Sequence, residues 1–420
     1  MSKKIKIKRT SGNKSKESEN LDKFLAPNSS EWKLLELPKD EQEDKEKQKE
    51  VESNSESIKE TLLSSLQMPH LAVLAGSGTS LGEVGGPSMG DLWEKVTNNN
   101  PTYRYKDNGE EKEIEINPEE IIEVVKHDSR DKNIEALLTQ CEAYLRIEEE
   151  NLKVEGFLTE AKKIILNECS SFLNNDNLEG HRTFLHRLSK RRVRDPRLKI
   201  FTTNYDLCFE RAASLQGLII LDGFSFVNPR RYDPNYFNCD IVRRTNSHDK
   251  TTNFLEGVFQ LFKLHGSVNW ERNGSEIIEI DEPNPKKACI IYPAHGKYQQ
   301  SYIQPHLELF SRYLSSLREP NTCLIISGFG FNDDHLAEPV ISAIDTNPHL
   351  KVVIADQFAE KQLEADKPSK YWEKLKEKAL AGEDIWFINA SFQKFAQLIP
   401  NLKALTSAQQ LERTIKDISS

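Results

Sequence analysis

Five apolar runs in this chain end in tips whose side chains or glycines could bind or transform a ligand. Leu71-Ala72-Val73-Leu74-Ala75 runs into Gly76-Ser77-Gly78-Thr79-Ser80. Glycines there let backbone N–H groups approach an anion, and the start of a following helix adds positive potential. Leu198 to Thr203 runs into Asn204-Tyr205-Asp206, which sets a neutral amide two residues from a carboxylate. Phe259 to Leu264 ends at His265-Gly266; an imidazole of ordinary pKa, about 6.5, exchanges a proton readily at neutral pH. Cys323 to Ser327 opens into Gly328-Phe329-Gly330, and Leu350 to Ala355 ends at Asp356. Two glycine loops can hold two phosphates. An acidic tip roughly 20–30 residues after such a loop is placed to bind a ribose hydroxyl pair. Asn204 and His265 are then left for catalysis.

Each of these residues also has a plainer use. Asn or Asp after a strand commonly forms a turn, a lone His is commonly structural, and an Asp at a strand end often caps a helix. Five such tips gathered in one crevice argue for chemistry.

The elements that must position them follow from periodicity. Short apolar runs alternate with segments of three- and four-residue spacing, which predicts an α/β fold with a Rossmann-like, doubly wound, mostly parallel sheet. The strand C-termini then share one edge, where such sheets bind ligands. A last run, Ile385 to Ile388, brings Asn389 to that edge. Residues 1–60 are dominated by Lys, Glu, Asp and Ser, and Asp40 to Glu50 is almost wholly charged or Gln. That composition predicts a mostly disordered tail with transient helix. Its apolar spots, Phe24-Leu25 and Trp32 to Leu37, are candidates for docking on a partner or on the body. Residues 61–400 form the ligand-binding domain, with a helical insertion at 117–190 and a loop-rich insertion at 224–305. Residues 401–420 are a terminal helix or tail. Asn117-Pro118-Glu119-Glu120 starts the helical insertion with a cap, a first-turn proline and acidic residues at the positive helix end. That block is either scaffold or a lid or oligomer surface. The basic cluster His186 to Arg194 is either a solvated helix end or a contact for an acidic partner or phosphate.

Composition excludes several classes. A net charge of −9 argues against a generic nucleic-acid binder but not against a local site for a small anion. No run of 18 apolar residues is present, so no membrane span is predicted. The basic start, Lys3 to Arg9, lacks the apolar stretch of a signal peptide. Six cysteines without a C-x-x-C pair fit a reducing cytoplasm and supply no structural zinc site.

Taken in order, the tips resemble the sirtuin superfamily. Gly76-Ser77-Gly78-Thr79-Ser80 stands where that family has strand-Gly-Ala-Gly-x-Ser, and Gly85-Gly86-Pro87 where it has Gly-x-Pro. Thr202 to Asp206 matches Thr-x-Asn-x-Asp, His265-Gly266 the catalytic His, Gly328-Phe329-Gly330 the late glycine loop, and Ala355-Asp356 the adenosine-side tip. The four-cysteine zinc module of sirtuin deacylases has no counterpart, since residues 271–305 hold only Cys289. Leu264-His265-Gly266-Ser267-Val268-Asn269-Trp270 is similar to a motif of bacterial sirtuin-like NAD-hydrolysing effectors of antiphage defence. In size and layout the chain resembles the stand-alone member that is paired with a HerA-type hexameric ATPase.

The resemblance implies NAD+ as substrate, hydrolysed to ADP-ribose and nicotinamide without a metal. It implies Asn204, His265 and Asp206 as catalytic residues. Gly76, Ser77, Gly78, Thr79, Ser80, Thr203, Gly328, Phe329, Gly330, Asp356 and Asn389 would bind the dinucleotide. It further implies a cytoplasmic homo-oligomer gated by the ATPase, with nucleic acid met only through that partner. The alternatives are a deacylase or ADP-ribosyltransferase, in which another acceptor captures the ribosyl cation, and a non-catalytic nucleotide-binding sensor.

Overall fold

The structure, a computed structural model, describes residues 21–401 apart from 40, 43, 108, 149, 193–194, 244–252 and 291–303. The expected tail or helix at 402–420 and the basic stretch at residues 1–20 lie outside the described residues.

Among the described residues nine strands make the main sheet: β1 (Lys23–Leu25), β2 (Lys33–Leu34), β3 (His70–Ala75), β6 (Lys199–Thr202), β7 (Ile219–Leu221), β10 (Val258–Lys263), β14 (Thr322–Ser327), β15 (Lys351–Ala355) and β16 (Ile385–Asn389). Their order is β2-β1-β16-β15-β14-β3-β6-β10-β7. The seven from β16 to β7 run parallel, and β1 and β2 are antiparallel additions at one edge. The sheet is therefore α/β and mostly parallel, as periodicity predicts.

Its central strands are apolar on both faces because helices cover both. Leu71, Val73 and Ala75 of β3 join one layer with Leu62, Phe184, Phe209 and Phe395 from helices 45–66, 179–188, 208–215 and 392–398. Ala72 and Leu74 join the other, with Tyr313, Val340 and Trp372 from helices 306–318, 334–346 and 370–381. The period-two alternation thus sorts residues between two buried layers, which is why no polar alternation is visible in the strand.

A third apolar layer belongs to the insertion. It joins helices 89–97, 118–124, 134–145 and 152–171 with the hairpin of β4 (Thr102–Asp107) and β5 (Glu110–Glu115). The predicted insertion, 117–190, therefore starts too late and ends too far on. Helix Glu179–Leu188 packs on the main sheet instead, because Phe184, Leu185 and Leu188 match the layer made by Phe209 and Phe395. Among the described residues, the predicted loop-rich insertion at 224–305 holds β10 of the main sheet and two small sheets. These are the pair β8 (Val242–Arg243) and β9 (Asn253–Phe254), and β11 (Gly266–Asn273) flanked by β12 (Glu276–Glu279) and β13 (Ala288–Ile290).

Two other expectations are corrected. Residues 21–60 are not a disordered tail. β1 pairs with β16 and buries Phe24, and helix Lys45–Leu66 begins at an Asp44 cap that accepts from the amides of Glu46 and Lys47. Only the last turns of that helix bury apolar side chains, Ile58, Leu62 and Leu66. Composition averaged over the segment hides this, since a few anchors and one cap suffice once the rest of the fold receives them. The basic cluster also has a structural use. Arg191 donates to the carbonyls of Leu66, Met68 and Pro69 at 2.7–3.0 Å, closing the end of helix 45–66. Arg187 donates to the Gln397 and Ile399 carbonyls at the end of helix 392–398. Cations at helix C-termini satisfy orphan carbonyls and oppose the helix dipole.

Candidate active site

The five predicted tips lie on five adjacent strands, in the spatial order β15, β14, β3, β6 and β10. Asp356, Gly328–Gly330, Gly76–Ser80, Thr203–Asp206 and His265 therefore form one row along the C-terminal edge. With strands about 4.8 Å apart, the row is about 19 Å long.

At its centre the two glycine loops interlock. The Gly76 amide donates to the Ser327 carbonyl at 3.0 Å and the Gly78 amide to the Gly328 carbonyl at 2.9 Å. A Cβ on Gly76 would meet the Gly328 carbonyl oxygen at 2.6 Å, and one on Gly78 would meet the Gly328 Cα at 2.6 Å. Gly328 itself has φ +60° and faces the Thr79 amide nitrogen at 2.5 Å from its own would-be Cβ. The glycines are thus needed for backbone to meet backbone. The amides of Thr79 and Ser80 are also taken, by the Gly76 and Ser77 carbonyls of the same 3₁₀ turn.

A cavity opens on each side of this interlock. The larger, about 390 Å³, is lined by Ser77, Ser80, Thr203, Asn204, Asp206 and His265 together with Phe329 and Gly330. The smaller, about 160 Å³, is lined by Ser77, Gly78, Gly328, Gly330 and Asp356. Ser77 and Gly330 border both, so the cavities adjoin across the loops. Gly76 and Thr79 line neither. Thr79 is buried, donates to the Gly76 carbonyl at 2.9 Å and accepts from Asn204.

Asn204 is held firmly. Its Nδ2 donates to Thr79 Oγ1 and Ser80 Oγ, both at 3.0 Å, and its amide donates to Thr202 Oγ1 at 3.1 Å. With Nδ2 committed, Oδ1 is the acceptor that Asn204 can offer a ligand. Asp206 Oδ1 accepts from the Cys208 amide at 3.0 Å at the start of helix Cys208–Leu215. His265 is buried, with its ring stacked 5.5 Å from that of His335 and the Tyr205 ring tilted against it at 6.5 Å.

The rest of the Leu264–Trp270 motif is support. The Leu264 amide bonds the Thr202 carbonyl at 2.8 Å, Gly266 at φ +86° passes the Cys289 carbonyl where a Cβ would sit 2.0 Å away, and Trp270 packs on Phe224. His306 Nδ1 bonds the Leu264 carbonyl at 3.1 Å. Burial pushes its pKa down to about 3, so it is neutral and donates there.

Asp356 is half-buried and accepts from the Phe358 amide at 2.7 Å. Burial raises its carboxyl above the usual range, with the Phe358 bond opposing. Asn389 is not brought to either cavity. Its side chain accepts from the Glu360 amide and donates to the Leu21 carbonyl, both at 3.1 Å, tying the N-terminal arm to the sheet. Its neighbours Ala390 and Phe392 line the smaller cavity in its place.

Several lining residues escaped the sequence reading. The insertion supplies Asn133, Glu135, Met89 and Phe172 to the larger cavity, so it forms a wall of the site. Only the folded arrangement of its helices places them there. Asp333, Asp334 and His335 line the same cavity, and their position directly after the second glycine loop was a usable signal. Lys263 was legible as a lone cation in an apolar strand, and it is buried. Among the described residues no group of three or more His, Cys, Asp or Glu is placed to hold a metal, and all six cysteines are free. No described helix is long and apolar enough to cross a membrane.

Comparison with known proteins supplies a partial family match. A family profile described as a SIR2-like domain matches residues 198–380, somewhat under half of the chain. No curated protein matches the sequence. Among solved structures, a Sir2 homologue in complex with NAD aligns at a TM-score of 0.38 and 12% identity, covering 86% of this chain and 94% of that one. A mutant Sir2 homologue in complex with ADP-ribose aligns at 0.39 and 13%, covering 81% and 94%. The segment from residue 198 to residue 380, which carries Asn204, His265 and the second glycine loop, is thus similar to a SIR2-like domain.

Proposed function

We propose that the protein binds NAD+ along the row of strand tips and hydrolyses the bond between nicotinamide and ribose. The observation that carries this is the charge of the larger cavity. Glu135, Asp206, Asp333 and Asp334 line it, and no Lys or Arg among the described residues does. Such a wall favours a cationic group, as the nicotinamide ring of NAD+ is, and a transition state in which positive charge moves onto the ribose. The smaller cavity, with Asp356 at its wall, suits the adenosine end, whose ribose hydroxyls a carboxylate can accept. A row of about 19 Å accommodates an extended dinucleotide across both. The SIR2-like match over residues 198–380 supports the same assignment.

In the proposed reaction the C1′–N bond breaks with its electron pair passing to nicotinamide, which leaves neutral. A water oxygen bonds C1′, and its proton passes to His265, giving ADP-ribose. Asn204 Oδ1 orients that water or the ribose, and Asp206 holds the loop through the Cys208 amide. The work is positioning and electrostatics. The Leu264–Trp270 likeness supports a setting in antiphage defence. There a cytoplasmic homo-oligomer and a HerA-type ATPase would restrain an activity that otherwise drains the cell of NAD+.

The test is incubation of the full chain with NAD+, alone, with the ATPase and with an acyl-lysine peptide, and product identification by mass spectrometry. Nicotinamide and ADP-ribose are expected, and Asn204→Ala should lower their formation by about 100-fold or more. Acyl-ADP-ribose formed only with peptide would reassign the protein as a deacylase. Absence of nicotinamide in every arm would sink NAD+ cleavage.

A further inference from the structure

We infer that Lys263 is a positioning residue, which clamps the loop carrying Asn204 to the strand that ends in His265. The loop from Thr203 to Leu207 lies between β6 and helix Cys208–Leu215 and belongs to neither. Its shape therefore depends on what its carbonyls meet. The Tyr205 carbonyl accepts from Lys263 Nζ at 3.2 Å, from Ser267 Oγ at 3.3 Å and from the Val268 amide at 3.0 Å. The Asp206 carbonyl accepts from the same Lys263 ammonium. The third acceptor is Glu210 Oε1 at 2.9 Å, in the first turn of the helix that follows.

An ammonium has three donors, and here three acceptors meet them. Lys263 is only 3% exposed, and a buried ammonium is tolerated only when paired and fully hydrogen-bonded. A buried cation at the end of a largely apolar strand is costly, so a purely structural β10 would be better served by Met or Leu there. What the ammonium does is join three elements. It stands in β10 two residues before His265, grips the two residues that follow Asn204, and holds the helix behind them through Glu210. Beside the β6–β10 ladder and the Ser267 and Val268 bonds, Lys263 is thereby the one side chain that ties the Asn204 loop both to the strand of His265 and to the following helix. A guanidinium is planar and larger, and would not reproduce this compact tripod.

The assignment of Lys263 rests on NAD+ cleavage as the reaction, and the test separates the two. Lys263→Met keeps the length and apolar stem but removes the donors; Glu210→Gln keeps the fold's shape and removes the counter-charge. With NAD+ as substrate, Lys263→Met should lower kcat by about 100-fold with KM within about threefold, since misplacement of reacting groups costs rate more than binding. Glu210→Gln should fall in the same direction by about tenfold, and Lys263→Arg should not restore kcat. Unchanged kcat in Lys263→Met, or a full restoration by Arg, would overturn the clamp.

The second readout is independent of turnover. Hydrogen exchange at residues 203–207 should quicken by about tenfold in Glu210→Gln, which is expected to fold, while β3 and β14 keep their protection. Unaltered exchange at 203–207 refutes the clamp whether or not NAD+ is cleaved. Quickened exchange in a protein that never releases nicotinamide supports the clamp and rejects the reaction.

Discussion

The interlock of the two glycine loops makes a prediction in which strain and steric contact can be separated. Gly82 has φ +64° with nothing within 4 Å of a would-be Cβ, so Gly82→Ala meets only backbone strain. Left-handed backbone costs an alanine about 1–2 kcal/mol. Gly78 sits in the 3₁₀ turn Ser77–Thr79, and its Cβ would lie 2.6 Å from the Gly328 Cα, so Gly78→Ala meets only contact. The neighbour there is backbone, which cannot rotate away, and overpacking of this kind costs about 1–3 kcal/mol. Gly328→Ala meets both, with φ +60° and the Thr79 amide nitrogen at 2.5 Å, and should lose about 2–5 kcal/mol. Each value is reduced by the roughly 0.4–1 kcal/mol that alanine gains by restricting the unfolded chain. Urea unfolding of the three variants, followed by tryptophan fluorescence and circular dichroism, measures the order. The expected ranking is Gly328→Ala worst, with Gly78→Ala and Gly82→Ala each milder. Gly328→Ala no worse than Gly82→Ala, or Gly78→Ala as stable as the parent, would mean that the loops are not held backbone to backbone.

Other consequences follow from single residues. Asp356→Ala should raise the KM for NAD+ by about tenfold with kcat nearly unchanged, because it removes binding far from the reacting bond; steady-state kinetics decides, and a kcat loss with constant KM would move Asp356 out of the adenosine site. His181 is fully buried against the rings of Phe209 and Phe392, its two ring nitrogens have no hydrogen-bond partner among the described residues, and burial pushes its pKa down to about 4. Below pH 6.5 the unfolded chain takes up a proton that the folded one refuses. Stability should therefore fall between pH 6.5 and about 4, by on the order of 3 kcal/mol from this residue. His181→Leu should flatten part of that slope in urea titrations at several pH values, and an equally steep slope would contradict the assignment. Arg191→Ala should cost about 2 kcal/mol of stability, leaving three carbonyls at the end of helix 45–66 without their donor. It should not weaken retention on a polyanion column, and a clear loss of retention would restore the phosphate-contact role of the basic cluster.

Much of the fold and half of the site are local properties of the sequence. Leu71 to Ala75 is apolar without a break, is short and ends in glycines, and so reads as a strand buried on both faces. Glycines, Asn, His or Asp at the ends of five such runs mark one edge, because parallel strands all end on the same side. What the chain alone could not state is which strands are neighbours. The order β15, β14, β3, β6, β10 interleaves segments more than 200 residues apart, and it turns five tips into a row with a cavity on each side of the glycine interlock. Asn389 shows the same limit from the other side. It ends a strand like Asp356, yet β1 pairs beside it, and its amide is drawn into holding the N-terminal arm. Lys263 stands out locally only as a lone cation in an apolar run, and Glu135 not at all; neither role is local. The first acquires its role from carbonyls on another strand's loop, and the second from a helical block folding over the edge. Periodicity and composition are properties of neighbours in sequence, and so they decide elements. Burial, charge pairing and the glycines' close approach are properties of neighbours in space, and only the tertiary structure decides those.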